Sequence, residues 1–356
     1  MKIDLNDLIK EINNVTKLLF KTKSITQYKY YKETLLFLKS IYYILTGIEY
    51  KAYIPNNPYY EKFLNSKNDS LNTNIIEFYS NINLYNEITS NILKCYDNNN
   101  FYDLCKENEQ RRIKERDYFE LINEFLLSYD EKLLNFFEHI KKNNQIDMVT
   151  DKIKSNLTYG VIINNHLNKS YVLVDNKYTI ANASTFIHEL GHAYSYYMIS
   201  NRSLSQSYNF NLSYEEFISD YFEFLFLKYL YKNHIYINDA IKCENCYYVY
   251  LKEYIKELNL YTIINIDNLS EYDLFDINND FNYGIGCYLS LFMYDKYEKS
   301  KEEAINRLND YMCYQGLIDR DEQLEILGIN REDFLNTDIL SKHLENHVKS
   351  LYKKKN

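Results

Sequence analysis

Apolar residues recur at steps of three and four through most of this chain, and that spacing is typical of amphipathic helices. The first such stripe begins at the amino terminus and consists of Ile3, Leu5, Leu8, Ile9, Ile12, Val15, Leu18 and Leu19. Only 7 glycines and 2 prolines occur among the 356 residues, so few positions can form left-handed turns or rigid breaks. The pattern therefore predicts long helices rather than a β architecture with many turns.

The same spacing predicts further helices, and one short stretch departs from it. Helices are expected over residues 28–45, 75–93, 118–127, 133–140, 181–198, 214–230, 240–258, 281–294 and 339–352. Residues 159–163 and 171–174 are short β-branched runs on either side of a polar segment, which predicts a β-hairpin. We expect a mainly α fold with a helical region at residues 1–150 and a second region at 151–356 that carries the chemistry.

The charge and the cysteine content limit the possible binding partners of the protein and the cellular compartment in which it is expected. The formal net charge is -9 at pH 7 and the only basic run is Lys353–Lys355, so the chain lacks the basic surface expected for nucleic acid. No apolar run has the length of a signal peptide or a membrane span, and the 6 cysteines are scattered. We therefore expect a reduced, cytoplasmic protein with no membrane partner, in which Cys243 and Cys246 are structural or incidental and do not form a redox or zinc site.

One segment has the residue spacing of a zinc site. Residues 184–193 read Ser-Thr-Phe-Ile-His-Glu-Leu-Gly-His-Ala, which places His188 and His192 one helical turn apart, where both imidazoles can reach one ion. Glu189 stands beside them and can take a proton from a water whose pKa zinc lowers. The five-residue pattern also arises by chance, but this triplet lies in an apolar helix, where charges without a metal or partners would be costly.

The spacing to a third ligand separates several types of zinc site that share this motif. Ser195 and Met198 stand where the metzincin type requires Gly and His. Asn211 and Leu212 stand where the thermolysin and membrane-alanyl-aminopeptidase spacings require Glu. These types are excluded, and an acidic helix predicted over residues 214–223 supplies the alternatives.

Two adjacent residues of that helix could be the third ligand. Glu216 has Asp220 one turn further on, an arrangement in which one carboxylate binds zinc and the next orients a ligand histidine through its other ring nitrogen. Glu215 is the alternative. Two histidines and one glutamate leave a fourth position open for water and substrate. The sequence thus predicts one zinc ion held by His188, His192 and Glu216.

The residues around this motif resemble one known family, the thimet oligopeptidase and oligoendopeptidase F peptidases. The likeness covers about residues 155–352 and is carried by Thr185–Ala193, Glu216–Ser219 with Glu223, Tyr171–Asp175 and Leu324–Ile329. It implies a gluzincin-type metallopeptidase with a helical bundle and a small hairpin or sheet beside the active-site helix. It also implies a zinc-binding catalytic domain at residues 151–356 and a helical wall of the substrate cleft at 1–150.

The activity implied by the resemblance is endo-acting hydrolysis of oligopeptides through a zinc-activated water, with Glu189 as the general base. The family places tyrosines opposite the zinc, on a glycine-containing segment, where a hydroxyl donates to the oxyanion. In this chain Tyr283 is the first candidate and Tyr288 the second. Gly284 and Gly286 in the same stretch suggest a special backbone conformation.

Two departures from the family keep other functions open. The histidine that usually precedes the tyrosine segment is missing, and Asp273 stands about where it would be. The helical region before the zinc motif is also shorter than in typical members. A dedicated maturation protease with one peptide or protein substrate is one alternative, and a non-catalytic peptide-binding protein on a peptidase scaffold is another. The sequence implies no particular oligomeric state.

Overall fold

Helices make up most of the described chain, which confirms the predicted mainly α fold. The computed structural model describes residues 4–21, 25–48, 50, 75, 78–102, 112–149, 160–164, 169–200, 215–264, 269–314 and 320–352. The helices are α1 (Leu5–Lys21), α2 (Ile25–Thr46), α3 (Ile82–Asn98), α4 (Glu115–Tyr129), α5 (Glu131–Lys142), α6 (Ile180–Ser200), α7 (Glu215–Lys232), α8 (Ile237–Tyr261), α9 (Glu271–Lys299), α10 (Lys301–Tyr314), α11 (Arg320–Leu327), α12 (Arg331–Leu335) and α13 (Asp338–Tyr352).

The helices predicted from apolar stripes are present among the described residues, and most extend beyond the stripe at one or both ends. The helix predicted over residues 75–93 differs at its start, because α3 begins at Ile82 after a turn at Asn81. Helices α10, α11 and α12 were not predicted, because charged residues interrupt their apolar spacing. Cys243 and Cys246 both lie inside α8, the first buried and the second partly buried, which fits a structural role. Among the described helices, none combines the length and the apolar character needed to cross a bilayer.

A small sheet precedes the helix that carries the zinc motif. Its strands are β1 (Ile146–Val149), β2 (Gly160–Asn164) and β3 (Lys169–Asp175), in the order β1-β3-β2. β2 and β3 are antiparallel, as the hairpin prediction requires, although the predicted polar connection lies outside the described residues. β1 was missed because it has only 4 residues and pairs in parallel with a strand that is distant in sequence.

The main hydrophobic core extends from Ile75 to Leu344 and draws side chains from helices on both sides of residue 150. Phe125 of α4, for example, packs edge-on against Phe226 of α7, with ring centroids 5.2 Å apart. A separate apolar cluster joins α1 to α2 through Leu8, Ile12, Val15, Leu19, Leu35, Leu38 and Ile41. The division of the chain near residue 150 therefore stays a prediction, and the core itself crosses that position.

Helix α7 is approached closely from two sides, and a glycine permits each approach. A Cβ atom added to Gly191 of α6 would lie 2.8 Å from the Cα of Ser219. A Cβ atom added to Gly286 of α9 would lie 3.0 Å from the backbone nitrogen of Phe217. The absence of a side chain at these two positions allows the backbones of α6 and α9 to contact α7 directly.

The prediction of a special backbone conformation around Gly284 and Gly286 is wrong. Both residues lie inside the continuous helix α9, and neither has a left-handed φ. Their function is close packing. A Cβ atom on Gly284 would lie 3.2 Å from side-chain atoms of Tyr254 and Ile255, so this glycine brings α9 close to α8.

Candidate metal centre

The three predicted ligands come from two helices and meet at one point. Helix α6 carries His188 and His192 one turn apart, and α7 carries Glu216 opposite them. Glu216 Oε2 lies 3.2 Å from His188 Nε2 and 3.1 Å from His192 Nε2. The three side chains are between 12% and 17% exposed. The side chain of Glu215, the alternative ligand, lies outside the described part of the structure.

This donor set fits a zinc ion. Ligand atoms at the usual distance from a tetrahedral zinc lie roughly 3.3 Å from one another. The separations of 3.2 and 3.1 Å between Glu216 Oε2 and the two imidazole nitrogens are close to that value. Two imidazoles with one carboxylate are also typical of catalytic sites, in which a fourth position stays open. His188, His192 and Glu216 therefore have the chemistry and the spacing to hold zinc.

The charges around the three ligands favour a cation. Burial alone would lower the pKa of His188 and His192, but the neighbouring carboxylates outweigh it and raise the pKa of both rings. In turn the histidines hold the pKa of the Glu216 carboxyl well below its usual range, although burial acts in the opposite direction. The site is therefore a buried region of negative potential, in which a positive charge is stabilised.

Two carboxylates lie beside the outer nitrogen of His188. Its Nδ1 is 3.2 Å from Glu223 Oε2 and 3.5 Å from Asp220 Oδ1, and Ser184 Oγ donates to the other Glu223 oxygen at 2.9 Å. A carboxylate in this position fixes the tautomer and orientation of a ligand histidine. The sequence singled out Asp220 for this position, and the structure adds Glu223 at the shorter distance. Glu216, Asp220 and Glu223 are spaced to share one helix face, which is the signal that could have identified Glu223.

Helix α9 contacts Asp220, one of these two carboxylates, through a thiol. Cys287 Sγ donates to Asp220 Oδ2 at 3.1 Å, and both residues are buried. Burial raises the pKa of Asp220 to about 8, with His188 lowering it and Glu216 raising it. The contact joins α9 to the back of the site, next to the close approach at Gly286.

Glu189, the predicted general base, lies in the same buried region and is 9% exposed. Burial raises the pKa of its carboxyl, while the adjacent His188 and His192 lower it. A carboxyl whose pKa is shifted toward neutrality is suited to accept a proton and to return it later in a reaction.

The two candidate tyrosines have different positions. Tyr283 is half-buried and its hydroxyl faces the Glu216 carboxylate; burial and that carboxylate both raise the pKa of Tyr283. Tyr288 is fully buried and its hydroxyl donates to the carbonyl oxygens of Phe334 and Asn336, at 3.0 and 3.1 Å. Five residues turn an α-helix by about 140° beyond one full turn, so Tyr288 points away from the ligands. The structure brings Tyr283 to the cluster and leaves Tyr288 in the core.

Asp273, which stands about where the family's histidine would be, lies in the first turn of helix α9. Its carboxylate accepts from the backbone nitrogen of Ser270 at 2.7 Å, and the Ser270 hydroxyl accepts from the backbone nitrogen of Asp273 at 3.2 Å. These reciprocal hydrogen bonds form a capping box, and the bonds that the Asp273 carboxylate accepts from the Ser270 hydroxyl and backbone nitrogen lower the pKa of Asp273. Asp273 therefore caps the start of helix α9, where backbone N–H groups lack partners within the helix.

Solved structures to which the chain is similar carry the names of peptidases. The chain is similar to a candidate oligoendopeptidase F from Bacillus anthracis str. Ames, with a TM-score of 0.53, 12% identity, and 96% of this chain and 61% of that chain covered. It is similar to PZ peptidase A with an inhibitor, with a TM-score of 0.50, 12% identity, and 79% and 58% covered. It is also similar to a candidate peptidase from Chlamydophila abortus, with a TM-score of 0.52, 13% identity, and 92% and 62% covered.

The coverage and the sequence identity of these matches limit what they show about this chain. The chain spans about three fifths of the length of the structures it matches. No protein-family model matches the chain, and no curated protein matches it significantly. At 12% to 13% identity the shared property is the fold. The chain thus has a peptidase fold, with the candidate metal centre at the junction of α6, α7 and α9.

Proposed function

We propose that this protein is a zinc-dependent metalloendopeptidase that hydrolyses oligopeptides. The observation that carries the proposal is the convergence of His188 Nε2 and His192 Nε2 on Glu216 Oε2, at 3.2 and 3.1 Å. Glu189 is adjacent to the first ligand on the same buried helix. A peptide substrate and a cytoplasmic location are parts of the same proposal.

Each residue of the site has a separate role in this proposal. His188, His192 and Glu216 hold the zinc, and Glu223 with Asp220 fixes the ring of His188. Zinc, when bound, polarises the scissile carbonyl and makes water a stronger acid.

Proton transfer and charge stabilisation then fall to two side chains outside the ligand set. Glu189 takes the proton from the attacking water and gives it to the leaving amine. Tyr283, whose hydroxyl faces the Glu216 carboxylate, donates a hydrogen bond to the oxygen on which negative charge develops.

The substrate would lie between two parts of the chain. Residues 151–356 supply the zinc-binding catalytic domain, and residues 1–150 supply one wall of the cleft. β2 is an edge strand of the described sheet and precedes the motif helix by one strand. An extended peptide could add to such an edge by backbone hydrogen bonds.

Replacement of the general base tests the reaction. Glu189→Gln should retain bound zinc and the fold but lose nearly all hydrolysis, because an amide cannot accept the proton. Wild-type protein and variant are incubated with a mixed peptide library, products are identified by mass spectrometry, and zinc is measured by elemental analysis. Glu138→Gln, at a side chain that is 52% exposed on α5, is the matched control. Retained turnover in Glu189→Gln would exclude this mechanism.

The same assay separates the alternatives. A dedicated maturation protease would cut few library members or a single protein, whereas an oligopeptidase cuts many short peptides and loses activity as length increases. A non-catalytic peptide-binding protein would give no cleavage sensitive to a chelator. The complete set of two histidines and two glutamates supports the enzyme, since binding alone has no need of Glu189.

A further inference from the structure

Two buried hydrogen-bond donors, on two different helices, hold the carboxylates behind His188. Glu223 Oε2 and Asp220 Oδ1 lie 3.2 and 3.5 Å from the Nδ1 of that ring. Ser184 Oγ donates to the other oxygen of Glu223 at 2.9 Å. Cys287 Sγ donates to the other oxygen of Asp220 at 3.1 Å. Each carboxylate therefore has one oxygen toward the imidazole and one oxygen held by a donor.

The first donor, Ser184, reaches Glu223 because it lies on the same helix as His188. The two residues of α6 are four positions apart and therefore share one face of the helix. Ser184 is buried, so water does not compete for its hydroxyl. The Glu223 carboxylate extends from this hydroxyl to the His188 ring, with one oxygen at each. A carboxylate held at both oxygens is restricted in its rotation away from the ring.

The second donor, Cys287, reaches Asp220 because α9 and α7 approach closely at the preceding residue. A Cβ atom added to Gly286 would lie 3.2 Å from Asp220 Oδ2, the same oxygen that accepts from the thiol. Both Cys287 and Asp220 are buried. A thiol is a weak donor, but hydrogen bonds are stronger in a buried region than in water. The contact can therefore orient the Asp220 carboxylate.

The backbone of Cys287 is itself held by two hydroxyl groups. Its carbonyl oxygen accepts from the Tyr247 hydroxyl of α8 at 2.9 Å and from the Ser290 hydroxyl of α9 at 2.7 Å. Tyr247 and Ser290 are both buried. The thiol is therefore placed by two packed helices before it contacts the third.

We propose that Ser184 and Cys287 are positioning residues of the metal centre. They act through Glu223 and Asp220, which they hold in the orientation that fixes the tautomer of His188 and turns its Nε2 toward the ion. Their hydrogen bonds go to these carboxylates and not to the ligands, so their effect on the metal is indirect. The inference rests on the zinc site of the proposed function.

Zinc affinity measures this effect without catalysis, by competition of the full chain with a chromophoric chelator. Ser184→Ala and Cys287→Ala should each weaken zinc binding by about three- to tenfold, less than the 10- to 100-fold typical for loss of a group that contacts the ligand ring. Ser350→Ala on α13 and Cys95→Ala on α3 are the matched controls, since each removes a buried donor to a backbone carbonyl. Both controls should bind zinc as wild type does.

Removal of each carboxylate shows whether the donors act through it. In an Asp220→Ala background, Cys287→Ala should not weaken zinc binding further, because the thiol has lost the group that it orients. In a Glu223→Ala background, Ser184→Ala should likewise have no further effect. A residue that only stabilised the fold would lower the affinity in either background. Equal losses with and without the carboxylate would therefore overturn the positioning role.

Reciprocal substitutions test whether a donor is what matters at each position. Cys287→Ser and Ser184→Cys keep a donor and should retain most of the zinc affinity that the alanine variants lose. Cobalt bound in place of zinc gives a visible spectrum that depends on ligand geometry, and this spectrum should change in the alanine variants and return in the exchanged ones. Thermal melting without metal checks the fold. Cys287→Val, which fills the space of the thiol without a donor, replaces Cys287→Ala if that variant unfolds.

The outcomes distinguish this inference from the proposed function. Wild-type zinc affinity and an unchanged cobalt spectrum in both alanine variants overturn the inference and leave the zinc peptidase standing. A loss in one variant alone removes the other residue from the inference. The expected losses, combined with no peptide cleavage by wild type, support the inference and overturn the peptidase function. If wild type binds no zinc, both are overturned.

Discussion

His188 and Glu216 belong to different helices, and the Nε2 of one lies 3.2 Å from an Oε2 of the other. The contact spans α6 and α7 at the place where Gly191 allows the two backbones to meet. A glycine inside the motif of His188 and His192 therefore brings Glu216, the candidate third ligand, within reach of the two histidines. The site depends on helix packing as much as on the motif itself.

Removal of a candidate ligand should abolish metal binding. His188→Ala and Glu216→Ala each leave two protein donors, too few to compete with water for zinc. We expect about one zinc per chain in wild type and almost none in either variant, measured by elemental analysis after dialysis. His139→Ala, at an exposed histidine of α5, should keep the wild-type content. Full zinc content in a ligand variant would remove that residue from the set.

Replacement of Glu223 should weaken zinc without abolishing it. Glu223→Gln keeps the size of the side chain but removes the charge that lies 3.2 Å from His188 Nδ1. Loss of such a partner typically costs about 10- to 100-fold in metal affinity. Competition with a chromophoric chelator measures the change, and Glu325→Gln at an exposed position of α11 is the control. An unchanged affinity would assign the orienting role to Asp220 alone.

Gly286 should be far less tolerant of a methyl group than Gly284. The added Cβ at Gly286 would lie 3.0 Å from the backbone of Phe217 and 3.2 Å from Asp220 Oδ2, so α7 or α9 must shift. Gly286→Ala should lower the free energy of unfolding by about 1–3 kcal/mol and weaken zinc binding. The nearest atoms to a Cβ at Gly284 are side-chain atoms, the Tyr254 Cβ and the flexible end of Ile255, both at 3.2 Å, so no neighbouring backbone has to shift and the cost of Gly284→Ala should be smaller. Urea unfolding compares the two, and equal losses would contradict the backbone argument.

His343 should make the protein less stable in mild acid. The ring lies between Phe224 and Tyr294, with centroids 5.6 Å from each, and burial lowers the pKa of His343 to about 4. The unfolded chain binds a proton at this histidine below about pH 6.5, where the folded protein does not. Unfolding is therefore favoured as pH falls from about 6.5 to about 4, by roughly 3 kcal/mol in total.

The measurement compares this titration with a variant that lacks it. The free energy of unfolding is determined at half-unit steps between pH 7 and 4 for wild type and for His343→Leu. Other groups titrate equally in both proteins, so the wild-type curve should fall more steeply by the contribution of His343. His139→Leu, at an exposed ring, serves as the control. Parallel curves for wild type and His343→Leu would contradict the prediction.

Local patterns were sufficient for most of the helices and for naming the candidate ligands, whereas α10, α11 and α12 were missed. Apolar residues at helical spacing identified α6 and α7, because burial of one face is what stabilises those helices. The spacing of His188, His192 and Glu216 predicted a shared point, and the structure brings these side chains together. The role of these residues as metal ligands stays a prediction, and the sequence alone left Glu215 as an alternative to Glu216.

Features that depend on how helices meet could not be predicted in the same way. Asp220 and Glu223 share one helix face, and only the packed position of His188 shows that Glu223 is the nearer. The glycine at 286 suggested an unusual backbone, whereas it permits contact with a neighbouring helix. Strand β1 pairs with a strand more than twenty residues away, and no local pattern encodes that partner.

Tyr283 and Tyr288 provide the sharpest test of how α9 is oriented. Tyr283→Phe removes the hydroxyl that faces Glu216, so kcat should fall about 100- to 1,000-fold with little change in KM, zinc content or stability. Tyr288→Phe removes the donor to the Phe334 and Asn336 carbonyls and leaves buried acceptors unpaired. It should lower the free energy of unfolding by about 1–3 kcal/mol without changing kcat of the folded enzyme. The reverse pattern would mean that Tyr288, and not Tyr283, faces the reacting group.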